Sequence, residues 1–184
     1  MSDMQIEVGF SSPAIINSSQ TCCPKSGSPA DDTLVTALGS SMRGDDGVGI
    51  VVLERLAKYG NLPDNIYFQY DGSPVHLMDA FLSQRFRKVM IVDSAYLNQN
   101  PGEWQRFTLN ENIILNLDRN TNISMHGLGL AGVLELCNAL KIELPEIVIY
   151  GVQPKEVNFS NELSDIVQNA VPAICSSILK DLRN

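Results

Sequence analysis

The hydrophobic and polar positions divide the chain into short apolar runs separated by stretches with helical spacing. Leu34-Val-Thr-Ala-Leu38 is a run suited to a buried strand, and it breaks at Gly39. Val48 to Ala57 then repeats apolar residues at the spacing of a helix packed on that strand. Asn65 to Tyr70 is β-prone and ends at the turn Asp71-Gly72-Ser-Pro74, after which Val75 to Leu82 predicts a helix started by Pro74. Lys88-Val-Met-Ile-Val92 is the clearest buried strand, and it closes on Asp93. Trp104 to Leu109 alternates like a strand. The turn Asn98 to Gly102 before it is too short for a crossover helix, which predicts an antiparallel strand.

A polar stretch, 110–122, leads to Ser124-Met-His126-Gly-Leu-Gly-Leu130, which opens a helical pattern to Leu140. Ile147-Val-Ile-Tyr150 is a further buried strand. A last helix, at about 160–182, carries Leu163, Ile166, Val167, Ala170, Ile174 and Ile178 along one face. The alternation predicts a three-layer α/β fold: a five-stranded, mainly parallel sheet with one antiparallel strand and helices on both faces. Residues 1–31 are rich in Ser, Pro, Asn and Gly without periodicity and read as a flexible extension. Residues 32–184 read as a single α/β domain.

Composition narrows the function. A formal charge of -8 argues against nucleic acid and against an acidic membrane surface. No apolar run approaches the roughly 20 residues of a membrane helix, and the first residues lack the order of a signal peptide; a cytoplasmic protein is expected. Four cysteines, at 22, 23, 137 and 175, do not form a disulfide framework. Cys22-Cys23 lacks the further ligands of a closed metal site, and Cys137 and Cys175 fall in apolar helical stretches as core thiols. His76, in the first turn of its helix, reads as a surface residue.

The chemistry collects at strand ends. Gly39 and Gly44 have the spacing of a phosphate loop, but Asp45 and Asp46 follow where such a loop has Lys and Ser or Thr, so a cation is the more natural guest. Asp46 follows the first strand, Asp93 ends the third, and His126 heads a helix. In a parallel sheet all three can converge above the carboxyl edge. Two carboxylates and an imidazole suit nickel, zinc or iron with positions left open. Each also has a plainer reading: Asp45 or Asp46 caps a helix, Asp93 caps a loop, His126 is a satisfied partly buried histidine. Asp45 in particular is expected to cap its own helix, and its substitution to be milder than that of Asp46.

These blocks resemble the hydrogenase maturation endopeptidases over about residues 33–182. The likeness is carried by Gly39…Asp45-Asp46-Gly47-Val-Gly49, by Val89-Met-Ile-Val-Asp93-Ser-Ala95 and by Ile123-Ser-Met-His126-Gly-Leu-Gly-Leu130. Asp71-Gly72 and Gly151-Val-Gln-Pro154 support it. Ser40 departs from the Asn that commonly follows the first glycine, and some members have Glu at the place of Asp46. The resemblance implies a peptidase that removes a C-terminal extension from the nickel-loaded large-subunit precursor of a nickel–iron hydrogenase. Asp46, Asp93 and His126 would contact nickel supplied by that precursor, with zinc or another divalent ion as surrogate. Asp46 is a candidate catalytic group, and Asp71, at a strand-end turn, is a candidate general base or a contact supporting the site. Two alternatives are a nickel-binding maturation chaperone without peptidase activity and a related metallopeptidase with another substrate.

Overall fold

The computed structural model describes residues 14–15, 31–59, 62–109 and 130–183. Their elements are β1 (Ala14–Ile15), β2 (Asp32–Leu38), α1 (Val48–Leu56), β3 (Ile66–Gly72), α2 (Leu77–Leu82), β4 (Phe86–Ser94), β5 (Trp104–Thr108), α3 (Leu130–Ala139), β6 (Glu146–Val152) and α4 (Asp165–Asp181). The strands form one sheet in the order β1-β3-β2-β4-β6-β5. All neighbours run parallel except β5, which is antiparallel to β6.

The five expected strands are all present. Ala14–Ile15, inside the segment read as an extension, adds two residues to the outer edge of β3, opposite Tyr67 and Phe68. The antiparallel strand has the expected direction but a different neighbour. β6 lies between β4 and β5, because the connection from β4 wraps over the end of β6. The Ala95 amide donates to the Val152 carbonyl at 2.8 Å, and the Gly102 amide to the Gln153 carbonyl at 2.9 Å. α4 begins at Asp165 rather than near 160, since residues 155–164 are tied to the loop after β2.

Strand alternation splits the core into two layers. Val35, Ala37, Met90 and Val92 pack with Val48, Val52, Leu53 and Leu56 of α1 and with Val167, Val171, Ile174 and Ile178 of α4. On the other face Leu34, Leu38, Val89 and Ile91 meet Leu77 and Phe81 of α2 and Leu130, Val133 and Leu134 of α3. The sheet is therefore covered on both sides, as a mostly parallel sheet requires. Cys137 and Cys175 are buried and free within these layers, as expected of core thiols. Burial pushes the Cys175 thiol up to about 11 and raises Cys137 as well, which disfavours a nucleophilic thiolate. His76 is half-buried in a single 3-10 turn, not on the surface as expected. Cys22 and Cys23 lie outside the described residues.

This topology creates one privileged crevice. From β2 the chain crosses to β3 on one side, whereas from β4 it leaves toward β5 at the opposite edge. Connections diverging from two adjacent strands open a gap at their carboxyl ends, the place where α/β sheets bind ligands.

Candidate active site

The crevice is floored by an unusually tight loop. Gly39 has φ +102, and a Cβ there would lie 2.0 Å from the Asp46 carbonyl oxygen, so only glycine lets the chain turn back on itself. Gly49 brings α1 equally close: an added Cβ would stand 2.5 Å from the Val92 carbonyl oxygen and 3.2 Å from that of Leu38. Two glycines thus press the start of α1 against the ends of β2 and β4.

Asp46 is 0% exposed and Asp93 1%. The turn at Ser40 and the end of β4 close over Asp46. Its carboxylate accepts the Ser40 amide at 3.0 Å and the Ser94 hydroxyl at 2.9 Å. Ser94 extends the strand alternation beyond Met90 and Val92 onto the α1 face, and Asp93 falls on the face of α2 and α3. The two carboxylates therefore lie on opposite sides of the end of β4.

Ser40 resolves the departure noted in the loop. Its amide holds Asp46, work that any non-proline residue can do, while its hydroxyl oxygen accepts the Met42 amide at 3.3 Å.

Asp45 does not cap the helix beside it, nor is it a loosely held side chain. It is 1% exposed, and its carboxylate accepts the amides of Lys155 (2.8 Å), Glu156 (3.1 Å) and Ser164 (2.7 Å) and the Ser164 hydroxyl (2.9 Å). Ser164 is the residue from which α4 starts. The expectation of a helix cap is corrected: Asp45 binds the β6–α4 loop to the glycine loop.

Gln153 went unassigned in the sequence although its motif stood out. Its buried side-chain oxygen accepts the Leu97 amide at 2.7 Å, fixing the chain just beyond Asp93 and Ser94. Ser94 was likewise visible only as the residue after a strand-ending carboxylate. Neither hydrogen bond can be read from spacing, because each joins segments far apart in the chain, 48 and 56 residues.

His126 lies outside the described residues, four positions before α3 in the sequence. Asp71 is the next-to-last residue of β3 in the backbone, and its side chain is likewise outside them. Among the described residues no three His, Cys, Asp or Glu side chains come together as a metal-holding group. The described residues supply two of the three expected ligands. Among them, no helix is long and apolar enough to cross a membrane.

Residues 50–181 match the family model described as hydrogenase maturation protease. The hydrogenase 3 maturation protease of Escherichia coli is 26% identical over 143 residues, covering 77% of this chain and 85% of that protein. The solved [NiFe] hydrogenase maturation protease of Thermococcus kodakarensis superposes with a TM-score of 0.62 at 28% identity, covering 81% of this chain and 97% of the other. The hydrogenase maturating endopeptidase of Escherichia coli shares the fold with a TM-score of 0.69 at 22% identity, over 83% of this chain and 92% of that one. Most of the chain answers to one family pattern, and the same fold recurs in solved members. The chain belongs to the hydrogenase maturation proteases and is an endopeptidase.

Proposed function

We propose that this endopeptidase removes the C-terminal extension of a nickel–iron hydrogenase large-subunit precursor once nickel has been loaded. Family membership supplies the reaction class. The observation that carries the finer reading is the burial of Asp46 and Asp93 around the end of β4, at the crevice between diverging strand connections. Two carboxylates joined by the imidazole of His126 make a donor set that borderline divalent metals accept.

In this reading nickel arrives as the precursor's cargo. Asp46, Asp93 and His126 complete its coordination and so hold the scissile peptide at the sheet edge. Ser40 and Ser94 fix the Asp46 carboxylate so that its oxygens meet the cargo without a search through rotamers. Asp71, from the adjoining end of β3, serves as general base for the attacking water. Zinc or another divalent ion would occupy the same donors as a surrogate, and the soluble precursor would be met in the cytoplasm.

The test is processing of purified nickel-loaded and metal-free precursors, read as the shift in mass of the large subunit. The nickel-loaded form should be shortened and the metal-free form left intact. His126→Gln should slow the reaction strongly with an unchanged circular dichroism spectrum. Equal cutting of both precursors would remove nickel from recognition. Tight binding of the loaded precursor without any cutting would replace the peptidase by a chaperone.

A further inference from the structure

Phe159 is 83% exposed, yet the loop that presents it is not a loose tip. The Gly44 amide donates to the Ser160 carbonyl at 2.8 Å, and the Ser160 amide to the Met42 carbonyl at 3.2 Å. Asp45 clamps the same loop before and after Phe159, at Lys155, Glu156 and Ser164. Met42, itself 52% exposed, lies in the turn on the other side of this pairing. Two large apolar side chains are thus presented to water from a hydrogen-bonded backbone beside the loop that carries Asp46. Holding them there without burial has a cost in solvation, and it lowers the ordering cost of any partner contact.

The ground next to them is concave and acidic. A cavity of about 240 Å³ is bordered by Phe159, Leu163, Glu156 and Glu162. A second, of about 530 Å³, continues past Leu163 toward Asp165 and Ile166. Glu156, Glu162 and Asp165 are exposed along this path, where Lys155 pairs with Glu156 at 3.8 Å; a second cation, Arg43, is exposed at the rim where its backbone bridges to Ser160.

We infer that Phe159 and Met42, with the acidic groove running from Glu162 to Asp165, dock an extended segment of the precursor that carries apolar and basic side chains next to the cleavage point. The apolar pair anchors one side chain, and the carboxylates select and steer the charge that flanks it. The inference rests on the reading above that the precursor is the substrate.

The test measures both Kd and steady-state processing of the nickel-loaded precursor by full-length protein. Phe159→Ser should weaken Kd and raise KM about ten-fold while kcat stays within about two-fold, the signature of lost docking. Glu162→Lys with Asp165→Lys should do the same at low salt, and the difference from wild type should shrink as salt screens it. Both changes fall on exposed side chains, and circular dichroism checks that the fold is kept. Unchanged Kd and KM in both variants overturn the docking surface while leaving the peptidase reading intact. Wild-type protein that neither binds nor cuts the precursor overturns both. Sedimentation showing a wild-type dimer that Phe159→Ser converts to monomer would assign the patch to a second copy and overturn the inference.

Discussion

The two ends of the sheet treat a buried carboxylate in different ways. At the amino end, Asp32 is answered by a cation: the Arg85 guanidinium approaches to 2.9 Å and also lies 4.0 Å over the Tyr67 ring and 5.3 Å from that of Phe86. At the carboxyl end, Asp45 is answered by three main-chain amides and a hydroxyl. The first arrangement neutralises a charge locally. The second spends the charge on holding a remote stretch of chain in one shape, since amide donors cannot be supplied without fixing the backbone that bears them. The amino end is built for stability, and the carboxyl end is built for position.

The sharpest way to break this contrast is Asp45→Ala. It strips an acceptor from four buried or half-buried donors at once and should cost about 3 kcal/mol in urea unfolding, with processing lost as the β6–α4 loop slips. A cost under about 1 kcal/mol would mean that the loop holds itself. Asp46→Asn should behave in the opposite way. Its amide can still accept from Ser40 and donate to the Ser94 oxygen, so stability should fall little while processing of nickel-loaded precursor drops about 100-fold. Wild-type turnover in that variant would rule out a shared metal site.

Asp32→Asn should be milder than either. Part of the pair is open to solvent, so about 1 kcal/mol of stability should go, with turnover untouched. A double-mutant cycle with Arg85→Met isolates the coupling.

The smallest effect is on pH. In the folded chain burial raises the Cys175 thiol from 9.0 to about 11, and the Tyr150 phenol, buried and bonded to Asp181, rises from 10.0 to about 12. Both groups hold their protons more tightly folded than unfolded. Their contribution is complete below about pH 9 and fades as pH climbs through 11 and 12. Cys175→Ala should be less stable at pH 8 yet lose stability less steeply between pH 9 and 11; identical slopes would show that the thiol contributes nothing there.

What the sequence made legible follows the range of the forces involved. Strands such as Lys88 to Val92 and helices such as Val48 to Ala57 announce themselves because burial on one or two faces imposes a local period. The family blocks located Asp46, Asp93 and Gln153 at strand ends. The work of Asp45 stayed hidden, since Ser164 lies 119 residues away and any turn-side carboxylate looks like a cap from sequence alone. The place of β5 was hidden for a related reason. A short connection fixes its direction, but the insertion of β6 beside β4 depends on a strand not yet met along the chain.

The Asp45 clamp also sets a timetable. The amides that lock the glycine loop emerge from the ribosome 110 to 119 residues after it. A nascent chain through β4 carries both carboxylates of the crevice but not the loop that stiffens it. A protease whose pocket is braced by a much later stretch of its own chain stays incomplete until that stretch is made, so the order of synthesis itself delays proteolysis.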